Sequence, residues 1–122
     1  QGLGGKIKES LERTLKLAPK HAEAHTAMGV YHAEIIDKIG AMIGGLTYGA
    51  KADTGMKHFQ EALKLTPHAP IAHIEYGNGL LMMYGKKRAP DVVKAYEAAI
   101  ALKPADAMEA LDIDKAKGEL ED

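Results

Sequence analysis

The stretch FQEALKLTPHAPIAHIEYG, residues 59–77, contains the end of one helix, a proline and the start of a second helix. Phe59, Ala62 and Leu63 recur at the spacing of one helix face. Pro67 ends this helix, because proline lacks a backbone donor and disfavours helical geometry at the residue before it. A second apolar stripe follows the proline. The stretch therefore predicts two antiparallel helices joined by a short turn.

The same pattern occurs three times along the chain, and internal similarity of this kind is typical of helical arrays. Three segments align on a shared proline: 11–29 on Pro19, 59–77 on Pro67 and 96–114 on Pro104. We predict an all-α fold of about six antiparallel helices in one domain covering residues 1–122. The helices are expected at about 5–18, 21–40, 52–66, 69–85, 90–103 and 105–120.

Two glycines occupy equivalent positions in the first two copies. Gly29 and Gly77 both lie inside predicted helices, where glycine costs about 1 kcal/mol relative to alanine. Because glycine has no Cβ, a neighbouring helix can approach closely at these points. We therefore expect a tight helix–helix contact at each glycine.

A family resemblance follows from the order of small, aromatic and proline positions. In the second copy the order is Gly55, Phe59, Ala62 and Pro67, followed by His73, Tyr76, Gly77 and Leu80. This order resembles the tetratricopeptide repeat, a helix-turn-helix unit, although histidine stands where the family has tryptophan. The resemblance implies a right-handed superhelix whose concave surface binds peptides. Since the chain begins at Gln1 without a methionine, we expect it to be a fragment of a longer array.

A glycine-rich apolar insert at residues 38–55 separates the first two copies. One interpretation is a longer second helix followed by a buried turn, and the other is a hydrophobic elbow that contacts a partner. The order of residues in and after the insert is similar to the repeat region of the regulator of microtubule dynamics family. The matching residues are Leu46, Tyr48 and Gly49, then Met56, Phe59, Ala62 and Pro67.

Composition argues against several classes of function. Sixteen basic and seventeen acidic side chains nearly cancel, so no overall field favours nucleic acid, and the basic run at 84–90 is interpreted as a solvated turn. No apolar run approaches the length of a membrane span, so membrane insertion is not expected. Cysteine is absent, and Ser10, the only serine, lies in no nucleophile motif. We therefore expect neither an enzyme nor a cofactor.

Three histidines on the second predicted helix are weak candidates for a metal site. His21, His25 and His32 lie on one face, and His21 and His25 have the i, i+4 spacing that can chelate a metal. His25 and His32 also occupy packing positions of the repeat. We interpret them as packing or rim residues, because apolar side chains share that face and a third or fourth ligand would have to come from another helix.

The resemblance places a peptide-binding groove on the first helix of each pair. The candidate groove residues are Glu23, Thr26, Val30, Glu34, Ile71, Glu75, Asn78 and Met82. Only Asn78 matches the clamp with which the family holds acidic peptide termini, and the face is mildly acidic. We therefore expect a protein or peptide partner that is basic and apolar.

The resulting hypothesis is a non-enzymatic protein–protein interaction module, or scaffold, that binds a peptide or helix in a concave, mildly acidic and apolar groove. The alternative is a homo-oligomeric assembly subunit that uses the insert 40–50 or the first helix. A further alternative for the apolar groove face is that a neighbouring chain, or residues outside this sequence, cover it.

Overall fold

The computed structural model describes residues 2–121, which form seven α-helices and one short 3₁₀ helix without any strand. The all-α prediction is confirmed, and the six predicted helices correspond to all of these helices except α3. The α-helices are α1 Gly2–Leu17, α2 Ala22–Ile39, α3 Ala41–Tyr48, α4 Ala52–Leu65, α5 Pro70–Tyr84, α6 Ala89–Ile100 and α7 Ala107–Glu121, with the 3₁₀ turn at Gly85–Arg88.

Two helices, α2 and α5, make most of the contacts in the fold. Helix α2 packs against α1, α3, α4 and α5, whereas α5 packs against α2, α4, α6 and α7. Around α5, a cluster of buried side chains forms part of the core: Leu80, Val92, Tyr96 and Ala116. Helices α2 and α5 also contact each other, and this contact fixes the relative position of their adjacent faces.

The close helix contacts expected at the two glycines are confirmed. A Cβ added to Gly29 would lie 2.8 Å from the ring of Phe59 on α4. The corresponding contact joins α5 and α6, where a Cβ on Gly77 would lie 3.1 Å from the ring of Tyr96. Each glycine therefore leaves the space that an aromatic ring of the helix packed against it needs. Gly79, which sequence reasoning did not single out, contacts Phe59 even more closely.

Two histidines at equivalent places in the first two copies hold the proline turns. His25 Nε2 donates to the Pro19 carbonyl at 2.7 Å, and His73 Nε2 donates to the Pro67 carbonyl at 2.8 Å. Each imidazole thus satisfies a carbonyl oxygen in the turn that follows the preceding helix. Histidine at these two positions therefore has a local structural role.

The third copy closes its turn in another way. Asp106 Oδ1 accepts from the Glu109 backbone N–H at 2.8 Å, while Glu109 Oε1 accepts from the Ala105 N–H at 2.9 Å. These reciprocal bonds resemble a capping box at the start of α7.

The insert forms a separate helix instead of a longer second helix with a buried turn. Gly40, at φ +85°, ends α2, and Gly49, at φ +67°, ends α3 in the left-handed region that glycine tolerates. The Tyr31 hydroxyl donates to the Tyr48 carbonyl at 3.3 Å and holds the end of α3 against α2. Met42 and Leu46 remain 79% and 84% exposed, so α3 places apolar side chains at the surface.

Candidate functional site

The main cavity of the protein has a volume of about 860 Å³ and lies between α1, α2 and the first half of α5. Six of the eight candidate groove residues line it: Glu23, Thr26, Val30, Glu34, Ile71 and Glu75. Helical spacing places the first four on one face of α2 and the last two on one face of α5. The contact between α2 and α5 brings these two faces into a single concavity.

Apolar side chains form much of the cavity wall. Val30 and Ile35 come from α2, Ile71 from α5, and Ile7 and Leu11 from α1. Ile71 is 46% exposed, so part of this apolar surface is open to a ligand. The volume lies in the usual range for ligand cavities, which are mainly apolar with a few polar groups. The cavity can therefore accept apolar side chains of a partner.

Carboxylates outnumber ammonium groups in the cavity wall. Glu23, Glu34 and Glu75 line it together with Lys38. Lys38 lies 3.7 Å from Glu34 in an ion pair that is largely exposed and therefore weak. The balance of charge favours a cationic ligand over an anionic one.

The other two candidate residues, Asn78 and Met82, are half-buried farther along α5 and do not line the cavity. Asn78 Nδ2 donates to Glu75 Oε1 at 3.1 Å, and the Tyr96 hydroxyl donates to Asn78 Oδ1. Burial raises the pKa of Tyr96, so its hydroxyl remains a donor at neutral pH. Asn78 therefore orients a carboxylate of the cavity wall. The sequence does not identify Tyr96 as a site residue, because Tyr96 lies on α6 and the predicted groove residues lie on α2 and α5.

The three candidate metal histidines have separate roles. His21 Nδ1 accepts from the Ala24 N–H at 3.1 Å and caps the start of α2. His25 holds the first proline turn, whereas His32 is buried between α2 and α4. Within residues 2–121, no group of three histidine, cysteine, aspartate or glutamate residues is arranged to hold a metal ion.

A histidine on α4, which sequence reasoning did not single out, joins two of these three. The ring centroid of His58 lies 5.2 Å from that of His25 and 6.4 Å from that of His32. His25 Nε2 donates to the Pro19 carbonyl, and on the other side of the ring His25 Nδ1 lies within hydrogen-bond distance of His58 Nδ1, at 3.0 Å. Burial, followed by the charge of His25, lowers the pKa of His58. The rings of His25 and His58 thus form a hydrogen-bonded contact between α2 and α4.

Comparison with known proteins gives no relative: no family model, curated protein or solved structure matches this chain. In the part of the chain that the structure describes, no helix is both long and apolar enough to cross a bilayer. Fold and cavity together define an all-α protein with an apolar cavity whose wall is mildly acidic.

Proposed function

We propose that this protein is a non-enzymatic interaction module of the tetratricopeptide-repeat type. It binds an apolar segment with basic residues in the cavity between α1, α2 and α5. The observation that carries the proposal is the convergence of six candidate groove residues on one cavity. The sequence pattern alone places these residues on the first helix of each pair.

Two matched sets of contacts support the repeat interpretation. The Gly29–Phe59 contact between α2 and α4 corresponds to the Gly77–Tyr96 contact between α5 and α6. The bond from His25 to its proline turn likewise corresponds to the bond from His73. Equivalent positions thus make equivalent contacts, as expected for two copies of one structural unit.

The chemistry of the wall determines the kind of segment that fits. Apolar side chains of the partner would pack on Ile71, Val30 and Leu11, while lysine or arginine would be drawn to Glu23 and Glu75. An acidic segment would meet like charge and bind more weakly. We therefore propose a segment that alternates apolar and basic residues, bound as a helix or as an extended chain.

Selection from a display library of random peptides tests this proposal. We expect enrichment of sequences that combine lysine or arginine with large apolar residues. Ile71→Lys places a cation in the cavity wall and should abolish binding of the selected peptides. Val93→Lys is the matched control, because Val93 on α6 is similarly exposed and does not line the cavity. Circular dichroism should show equal helical content in both variants.

Two results would contradict the proposal: enrichment of acidic peptides, or equal affinity of the selected peptides for the Ile71→Lys and Val93→Lys variants. Loss of helical content in Ile71→Lys alone would instead show that Ile71 supports the fold. Val30→Lys then provides a second change in the cavity wall, on a different helix.

A second candidate function, homo-oligomeric assembly, rests on the exposed apolar side chains of α3. Met42, Ile43 and Leu46 are all exposed on this short helix, and Ile39 is exposed beside it at the end of α2. Exposed apolar patches commonly mark interfaces. Light scattering across concentration should show a dimer that Leu46→Glu dissociates, whereas a monomer at every concentration would remove this candidate.

A further inference from the structure

Three of the six histidines of this chain meet at the contact between α2 and α4. His25 and His32 belong to α2, and the ring of His58 on α4 lies against both. The rings of His32 and His58 are stacked, with an interplanar angle of 10°. The same two helices meet where Phe59 packs on Gly29. Groups that titrate near neutral pH therefore lie beside a close-packed contact.

His32 needs a lone pair on Nδ1 to hold the start of α4. The backbone N–H of Lys51, the residue before this helix, donates to His32 Nδ1 at 2.9 Å. The ring is 2% exposed, and Nε2 has no hydrogen-bond partner among the described residues. A second proton on the ring would break the bond to Lys51 and leave two buried N–H groups without an acceptor. Because burying such groups is costly, the ring is neutral while α4 is in place.

The contact between His25 and His58 likewise has room for one proton. Their Nδ1 atoms lie 3.0 Å apart, so one ring donates there and the other must keep a lone pair. On the far side of its ring, His25 Nε2 donates to the Pro19 carbonyl. If both Nδ1 atoms carry a proton, two donors face each other and the hydrogen bond is lost. Full protonation of the pair therefore removes this contact as well.

The charged and titratable groups that face these rings belong to several elements: Lys8 and Glu12 on α1, Tyr31 on α2 and Lys51 at the start of α4. On the side of α5, Tyr76 lies against Phe59, the neighbour of His58. Glu12 is the one carboxylate that lines the cavity shared by His32 and His58, whereas two lysines line it. These surroundings oppose additional positive charge on the rings.

The pKa values of the two rings that line this cavity agree with the geometry. Burial, followed by the charges of His58 and Lys8, lowers the pKa of His32 to about 4. Burial, followed by the charge of His25, lowers the pKa of His58, although Glu12 acts in the opposite direction. Once α4 leaves α2, both rings regain the ordinary histidine pKa of about 6.5. Protons therefore favour the open state as the pH falls from about 6.5 towards 4.

We propose that these three histidines form an acid-sensitive latch, which holds the N-terminal half of α4 against α2 at neutral pH and releases it in acid. Release uncovers the side of α2 on which Phe59 packs. Helices α6 and α7 contain no histidine, and the buried cluster around α5 contains none either. Acid therefore acts on α4 before it acts on the packing of α5, α6 and α7. The latch does not depend on peptide binding, so either proposal can fail without the other.

Hydrogen exchange of backbone amides, corrected for the intrinsic rate at each pH, tests the latch directly. Between about pH 7 and about pH 5, the protection factor of the Lys51 amide should fall about twentyfold from the titration of His32 alone. At both pH values this amide should be less protected than those of Leu80 and Tyr96, because it opens without the rest of the fold. A protection factor of Lys51 that does not change with pH would overturn the proposal. Equal protection of all three amides would do the same, since it would mean that acid unfolds the chain as a whole.

Two substitutions remove the titration while keeping the hydrogen bonds, because the amide of asparagine takes the place of Nδ1 in histidine. His32→Asn can still accept from the Lys51 N–H, and the fall in protection on acidification should shrink from about twentyfold to severalfold. His58→Asn can still meet His25, and adding it to His32→Asn should remove the remaining fall. His68→Asn is the matched control: His68 is exposed in the turn after α4, and its loss should leave the acid response unchanged.

The variants also give results that would contradict the latch. An acid response that survives in the double variant, or one that His68→Asn removes, would overturn the proposal. If His32→Asn fails to fold, His58→Asn decides the question by itself. Its Lys51 amide should lose less protection on acidification than that of the unchanged protein, and an equal loss would overturn the proposal.

Discussion

The contact between Gly79 and Phe59 gives the sharpest test of the packing. A Cβ on Gly79 would lie 2.5 Å from Phe59 Cζ and closer still to Cε2, whereas carbon atoms normally pack at about 3.5–4.0 Å. Phe59 is 1% exposed, and on another side its ring lies 2.8 Å from the position of a Cβ on Gly29. The ring therefore has little room to move away from a methyl group at position 79.

Two opposing terms determine the effect of Gly79→Ala. Replacing glycine by alanine inside a helix stabilises the folded state by about 1 kcal/mol. Overpacking a close-packed core costs about 1–3 kcal/mol, and a ring confined between two glycines places this site at the upper end. We expect a net loss of about 2 kcal/mol in the free energy of unfolding, which for a domain of this size is on the order of 8 °C in Tm.

Urea unfolding followed by circular dichroism measures this difference, and Gly118→Ala is the matched control. Gly118 also lies inside a helix, α7, but a Cβ there would meet nothing within 4 Å. Gly118→Ala should raise the free energy of unfolding by up to about 1 kcal/mol. The slope of the urea dependence should be unchanged in both variants.

A second substitution shows whether the clash itself is responsible. Phe59→Leu shortens the side chain that Gly79→Ala would meet, so the double variant should be less destabilised than the sum of the two single changes. The packing argument fails if Gly79→Ala is as stable as Gly118→Ala, or if the effects of Gly79→Ala and Phe59→Leu simply add.

The remaining predictions concern pH, ligand orientation and the turn after α3. Lowering the pH from 6.5 towards 4 should reduce the free energy of unfolding by up to about 3 kcal/mol. In the unfolded chain His32 takes up a proton at its usual pKa of 6.5, whereas in the folded chain its pKa is lowered to about 4. Urea titrations at several pH values measure this loss, which His32→Asn should largely remove. Tyr96→Phe removes the hydroxyl that holds Asn78 against Glu75, so the affinity for a selected basic peptide should fall severalfold. Unchanged affinity in peptide titrations would exclude this orienting role. Gly49→Ala should lower the unfolding free energy by about 1 kcal/mol, because alanine is strained at φ +67°, and equal stability in thermal unfolding would contradict that backbone geometry.

Local signals in the sequence were sufficient to predict the positions of most of the helices. Apolar residues at helical spacing, with prolines such as Pro67 between them, depend only on neighbouring residues, and the predicted helices lie where the structure has them. The face of α2 that carries Thr26 and Val30 also followed from helical spacing alone. That face does line the main cavity.

The insert shows where local signals failed. Its glycines permit either a longer second helix with a buried turn or a hydrophobic elbow, and the sequence does not distinguish these possibilities. The positive φ of Gly40 and the bond from Tyr31 to the end of α3 decide in favour of a separate helix. That bond joins residues 17 positions apart, so no local pattern could reveal it.

The sequence by itself therefore determined that the chain is helical, where most helices begin and end, and which residues share a face. Only the tertiary structure decided which faces meet. The contribution of Ile7 from α1 to the main cavity, the bond from Tyr96 to Asn78 and the acceptor missing at His32 all depend on the relative placement of different helices. Helical periodicity places each side chain around its own axis, but the crossing and rotation of two helices follow from how their side chains pack together.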